Sequence, residues 1–266
     1  MSTGQYFAAG IEERPVVVDR VAELRWHALA DDLVVGRGDV AHRPDGRTFL
    51  SINAWHGAVF DRLAEAMLAA LPTPLYTVVD EAEPEVVAGW ERAGFTVGRR
   101  EWEYLVPTDP RLTRLDAARP PSGVTVLPVG EAQDGPLRAL DRAVREEVEA
   151  TAGWHTMPAE VLPRPEGTTV LYSSKYAVAE HNGQYVGLVR VAPVTRQPRI
   201  GLVAVRAGLH RRGIARALLA RVLGELHSCG IERATTEVNE SNEAARALFE
   251  GIGAQRCGGN LELVRH

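Results

Sequence analysis

Apolar positions along this chain recur with two different periods. Between Asp134 and Ala150 they return every three or four residues, behind an acidic start and Pro136, which predicts a helix. The same spacing predicts a helix over Ile214–Ser228, stopped by Gly230, and another over Ser241–Glu250, stopped by Gly251 and Gly253. Short apolar runs predict strands at Val124–Val129, Tyr176–Glu180, Gln184–Val191, Arg199–Val205 and Glu232–Val238. His181-Asn182-Gly183 joins two of these, and Asn-Gly favours the left-handed backbone of a tight hairpin turn. Gln255–Cys257 and Leu261–Val264 read as a closing hairpin.

The first half shows a matching order. Leu33–Gly38 and Thr48–Trp55 read as strands around a turn at Pro44-Asp45-Gly46. A helix over Ala58–Leu71, a strand over Leu75–Val79 and a second helix within Glu83–Phe95 follow. EPEVVAGWERAGF and NEAARALFEGIGA align without gaps, placing Phe249 on Trp90, Glu250 on Glu91 and Gly253 on Gly94. Shared order and a shared helix ending point to a duplicated domain. Thr108 to Gly123 is polar and proline-rich, so the pattern predicts two domains, 1–107 and 123–266, joined by a linker over 108–122.

Composition narrows the partners. The 266 residues are 45% hydrophobic and 24% charged, with a net charge of −5, so no basic excess suggests nucleic acid. No apolar stretch is long enough for a membrane span, and the opening MSTGQYFAAG does not resemble a signal peptide. Cys229 and Cys257 lie far apart with no metal-ligand spacing, so free thiols and a cytoplasmic protein are expected, without a metal and as a monomer or homodimer.

The strongest chemical signal is Val203-Ala204-Val205 followed by RAGLHRRGIARALLARVL. A strand runs into a turn, and a helix begins there. The first turn of a helix presents N–H groups without intrahelical partners and the positive end of the helix dipole. Such a start is suited to a pyrophosphate. Gly213 lets the backbone approach phosphate, Ala215 is the next small residue, and Arg211, Arg212 and Arg216 surround the turn with guanidinium donors. The turn lacks Gly-Lys-Ser or Gly-Lys-Thr, and its glycines do not fit G-x-G-x-x-G, so neither common nucleotide fingerprint applies.

His210 to Ala215 resembles the acyl-CoA loop of the GNAT N-acetyltransferases, in which Arg or Gln precedes Gly-x-Gly or Gly-x-Ala. His210 stands where Arg or Gln is usual. Glu237, Asn242, Ala245, Phe249, Glu250 and Gly253 are similar to that family's strand-to-helix segment. The resemblance covers about Val124 to Leu263 well and the first half only in outline. It implies an α+β fold of two tandem GNAT-like units, each a mixed, mostly antiparallel sheet flanked by helices, the first unit degenerate.

The resemblance further implies an acetyltransferase that uses acetyl-CoA as cosubstrate and a small-molecule primary amine as acceptor. A protein N-acetyltransferase and a non-catalytic acyl-CoA-binding or ligand-sensing module are the alternatives. Val203, Ala204 and Val205 would pair through their backbone with the pantetheine arm in a split between two strands, Ile214 would add its backbone to the phosphate turn, and Asn242 would touch the arm or cap its helix. Glu237 would take the proton of the attacking amine, although a carboxylate there can also pair with Arg233. Phe249 replaces a frequent Tyr and cannot donate a proton to the leaving thiolate. Tyr172, Tyr176, His155 and Cys257 are the candidate replacements. Trp154, His155 and Glu146 would line the acceptor site, with Glu147 and Glu149 adding negative charge. INAWHGAVFD in the first half carries no arginine, and Val78 and Glu83 stand where Glu237 and Asn242 stand in the second.

Overall fold

The computed structural model describes residues 15–151, 153, 157, 170–192 and 197–266. They form two compact units. Unit 1 comprises Met1–Arg100 and Asn260–His266, and unit 2 comprises Glu101–Gly259. No described helix is long and apolar enough to cross a membrane.

In unit 1, β1 (Val17–Ala22), β2 (Arg25–Ala30), β3 (Leu33–His42) and β4 (Thr48–Ala54) form an antiparallel ladder. Helix α1 (Gly57–Ala70) leads to β5 (Leu75–Asp80), which joins β4 in parallel, and α2 (Pro84–Arg92) follows. The core sits under α1, where Val59, Phe60, Leu63, Ala64 and Met67 meet Trp26, Val35 and Leu50. Trp90 is buried at the end of α2, edge-on to Phe60 and Phe95 at 5.1 and 4.8 Å.

Two further strands have parts in each unit: β6 (Thr96–Pro107) and β12 (Gln255–Arg265). In unit 1, Asn260–Arg265 lie antiparallel to Leu75–Asp80, so β12 is the strand next to β5. Leu261 and Leu263 are buried there, and Arg47 Nη1 donates to Glu262 Oε1 at 2.7 Å.

Unit 2 contains α3 (Pro110–Thr113), β7 (Val124–Leu127), α4 (Asp134–Glu149), β8 (Tyr176–His181), β9 (Gln184–Ala192), β10 (Arg199–Val205), α5 (Ile214–Ser228), β11 (Arg233–Asn239) and α6 (Glu243–Glu250). Strands β7 to β10 form an antiparallel ladder, β11 joins β10 in parallel, and Glu101–Pro107 of β6 pair antiparallel with β11. Asn182 and Gly183 at the β8–β9 turn both have positive φ, 52° and 76°, as that short hairpin requires. One face of the sheet packs on α5 through Ile214, Leu218 and Val222, and the other on α4 through Leu137, Leu140 and Val144.

Both units thus have four antiparallel strands, a helix, a parallel strand and a second helix. They differ at the start, since α4 separates β7 from β8 while Glu23 and Leu24 alone connect β1 to β2. Three expectations need correction. The compact units divide at residues 100/101 and 259/260, not at 107 and 123, because the ends of β6 and β12 find their ladders apart from the segments that precede them. The stretch 108–122 is no free linker either. Leu115 is buried in the α5 core, Thr108 is buried with its N–H donating to Glu232, and α3 forms within it. The expected hairpin over 255–264 is one continuous strand.

Candidate active site

Strands β10 and β11 hold together only at Arg199↔Thr235 and Ile200↔Thr236. Past that point β10 continues to Val205 on its ladder with β9, and β11 continues to Asn239 on its ladder with β6. The register on β9 shifts between Ile200 and Leu202, so Gly201 is a bulge, and a bulge bends its strand. It also switches the facing of side chains. Ile200 lies in the α5 core, whereas Leu202 packs in the α4 core and Ala204 against it. Among the described residues, the inner edge of β10 over Leu202–Val205 is therefore without a strand ladder, and such an edge can bind an extended amide-bearing chain. Val203, Ala204 and Val205 stand on this edge, half-buried.

The chain leaves β10 through a 3₁₀ turn over Ala207–Leu209. His210 Nε2 donates to the carbonyl of Val205 at 2.6 Å, which places the imidazole proton on that nitrogen and closes the turn. Arg211 and Gly213 both have positive φ, 60° and 87°. Gly213 is the N-cap of α5, and no side chain caps that helix. A Cβ built on Gly213 would meet no atom within 4 Å, so open space lies before the first turn. Arg211 and Arg212 are exposed beside it. Ile214 is buried in the core, so only its backbone belongs to the turn. Ala215 is half-buried, and Arg216 Nη2 donates to the carbonyl of Arg114 at 3.2 Å.

Glu147, near the end of α4, holds this turn from the other face. Its Oε1 accepts Arg206 Nε at 2.7 Å and its Oε2 accepts the N–H of Ala207 at 2.8 Å. Burial alone would raise its pKa, but these two bonds outweigh burial and keep the carboxyl below its ordinary value. The expected role of Glu147 in drawing a cationic amine is therefore replaced by a structural one. Glu146 and Glu149 are exposed on α4.

Glu237 is the first residue of β11 beyond the last rung shared with β10. Its neighbours Thr236 and Val238 are buried, and Val238 belongs to the α5 core, so strand alternation turns Glu237 to the α4 face. There Arg199 Nη1 donates to Glu237 Oε2 at 3.1 Å. The two side chains keep 31% and 26% of their exposure, so solvent reaches the pair. Among the described residues, Arg199 rather than Arg233 donates to Glu237. Periodicity gave no sign of it, because the contact spans two strands separated by α5.

Asn242 caps α6, its Oδ1 accepting the N–H of Ala245 at 3.0 Å. Phe249 is buried in the α5 core, the counterpart of Trp90 in unit 1. Tyr104 lies in the same core, and its hydroxyl donates to Glu250 Oε1 at 2.9 Å. Burial, then that bond and the charge of Glu250, push the phenol up to about 12. Among the proposed proton donors, Tyr176 is buried and Tyr172 exposed. Cys257 is exposed, with its thiol raised by partial burial and by Glu103. Cys229 is exposed at the end of α5. Trp154 and His155 lie outside the described residues.

Unit 1 shows the same early parting. Strands β4 and β5 pair only at Thr48↔Leu75 and Phe49↔Tyr76, although both run on for several residues. The turn that follows differs in chemistry, since Arg92, paired with Asp61 at 3.0 Å, is the cation near Gly57.

Residues 143–254 match the model of the acetyltransferase (GNAT) family. The [ribosomal protein bS18]-alanine N-acetyltransferase of Escherichia coli K12 is 33% identical over 72 residues, 27% of this chain and 49% of that protein. The chain thus spans about half the length of the curated relatives it matches. A GCN5-related N-acetyltransferase from Sphaerobacter thermophilus superposes with a TM-score of 0.64 at 18% identity, covering 93% of this chain and 82% of that one. A tandem GNAT protein from the clavulanic acid biosynthesis pathway gives 0.64 at 17% identity, with 94% and 83% covered. A GCN5-related N-acetyltransferase from Kribbella flavida gives 0.57 at 15%, with 96% and 90% covered. At these identities the likeness is one of fold, and it extends over both units.

Proposed function

We propose, from the match of residues 143–254 to the acetyltransferase (GNAT) family, that this chain transfers an acetyl group from acetyl-CoA to the primary amine of a small molecule. The observation that carries this reading is the parting of β10 from β11 beside an uncapped helix start at Gly213. The residues present fit the cosubstrate. Open space before Gly213 accepts a pyrophosphate, the first N–H groups of α5 have no side-chain cap, and Arg211 and Arg212 supply charge. The free edge of β10 accepts the amides of a pantetheine arm, as a strand would be added. Acetyl-CoA supplies an activated acyl thioester.

Glu237 acts as general base. It accepts the proton that the acceptor ammonium must lose before its nitrogen lone pair can attack, directly or through one water. Phe249 provides no proton, so the thiolate leaves into solvent, which its modest basicity permits. Unit 1 keeps the strand parting without the arginine turn, and in this reading it is a degenerate copy that binds no acetyl-CoA. A second reading is favoured by one observation: the Escherichia coli relative is named for the alanine of a ribosomal protein. Thiol release from acetyl-CoA, measured over small amines and alanine-starting peptides, separates the two. Calorimetry is expected to give one acetyl-CoA per chain. Glu237→Gln is expected to lower turnover by about 10²–10⁴-fold with acetyl-CoA affinity unchanged. Wild-type turnover in that variant moves the base elsewhere.

A further inference from the structure

The ion pair at the mouth of the strand parting carries information about the acceptor. Arg199 stands at the last rungs of β10 before the bulge, Glu237 just past the last rung of β11, and both face α4. Arg190 of β9 faces the same way, since it lies between Val189 and Val191 of the α5 core and opposite Leu202. Among the described residues, the face of the sheet at this point therefore presents the Glu237 carboxylate bonded to the Arg199 guanidinium, with Arg190 on the next strand. A site for a simple cationic amine would be acidic throughout. A site for the terminus of a peptide would have no use for arginine beside the acid, because the amine there is followed by a neutral amide.

We propose that the acceptor is a zwitterion, an α-amino acid or a close analogue with ammonium and carboxylate on one carbon. This rests on the acetyltransferase reading above and narrows it. The ligand's two charges are separated by a distance of the same order as the 3.1 Å between Arg199 Nη1 and Glu237 Oε2. The ammonium pairs with Glu237 and the carboxylate with Arg199, so that four alternating charges close a ring. One proton passes from the ammonium to Glu237, the nitrogen attacks the thioester carbonyl, and as the carbon–sulfur bond breaks the thiolate leaves with the electron pair and takes up the second nitrogen proton through solvent. Arg199 is thus a specificity-determining residue.

The test compares the proteinogenic α-amino acids with their α-carboxamides, each on the full chain loaded with CoA, by calorimetry. The same panel is then followed by thiol release from acetyl-CoA. At least one amino acid is expected to bind tenfold or more tightly than its amide. Arg199→Ala is expected to abolish that preference by weakening the acid alone, and Arg199→Lys to restore part of it. Equal binding of acids and amides, or no binding of any amino acid, overturns the proposal. Acetyl transfer to amines or peptide termini that lack the carboxylate, with equal efficiency, overturns it while leaving the acetyltransferase reading intact. Amino-acid binding that depends on Arg199, with acetyl-CoA never consumed, supports the ligand class and removes the acetyltransferase reading. Should Arg199→Ala fail to fold, the acid-versus-amide comparison on the wild-type chain decides alone.

Discussion

Glu147 Oε1 lies 2.7 Å from Arg206 Nε, and the other oxygen of the same carboxylate takes the N–H of Ala207. One side chain on α4 therefore fixes where the chain turns on its way from β10 to α5. Glu147→Gln removes the charge from both bonds, and the expected loss is about 1 kcal/mol at neutral pH, allowing for solvent screening. Because the folded carboxyl is depressed, its contribution is present above the ordinary carboxylate pKa of about 4.3 and is lost as pH falls through the lower folded value. Melting curves of the two proteins should differ at pH 7 and converge below pH of about 4. The affinity for acetyl-CoA should fall in the variant, as read by calorimetry.

Arg211 and Gly213 both sit at positive φ, yet only one of them is glycine. Gly213→Ala is expected to cost about 1 kcal/mol from the backbone alone, since a Cβ there meets no other atom. Arg211→Gly should do the opposite, relieving backbone strain while removing a phosphate donor. It is expected to leave the melting temperature unchanged or higher and to weaken acetyl-CoA binding by about 1–3 kcal/mol. Unchanged affinity in Arg211→Gly would remove the arginine from the phosphate site.

Tyr104 gives a prediction at the other end of the pH scale. Its phenol stays protonated in the folded state to about 12, whereas an unfolded tyrosine ionises near 10. The contribution is fully present below pH of about 10 and is lost as pH rises through the folded value. Tyr104→Phe should therefore lose stability at neutral pH, where the bond to Glu250 is made, and show a shallower decline than wild type between pH of about 10 and 12. Denaturant midpoints across that range check it.

Leu263 is fully buried in unit 1 although it stands near the end of the chain. Leu263→Ala should cost about 2–5 kcal/mol, as for other large-to-small changes in a core. Deleting 260–266 should go further and strip hydrogen-exchange protection from the amides of Leu75–Asp80, which lose their antiparallel neighbour. Retained protection in β5 would show that this strand finds another partner.

Much of the architecture was legible in the chain. The helix over Ile214–Ser228 was delimited by its period and by Gly230, the β8–β9 turn by Asn182-Gly183, and the parting strand by the Val203–Val205 run before the phosphate turn. These are local matters, settled by propensity, glycine conformations and the facing of apolar residues within a few turns. Sequence also determined that Phe249 and Trp90 occupy corresponding buried places, because one helix ending was written twice. Tertiary structure alone decided who stands beside whom. Period says which face of a strand is apolar, but it does not say which strand lies next to it. So β6 and β12 found ladders that no spacing indicated, and 108–122 packed on a core. Glu237 acquired Arg199 across a helix and a strand, and Glu147 gave its charge to the turn instead of to a ligand. Pairings of this kind depend on which edges remain open after the local elements have formed, and that is a property of the whole packed chain.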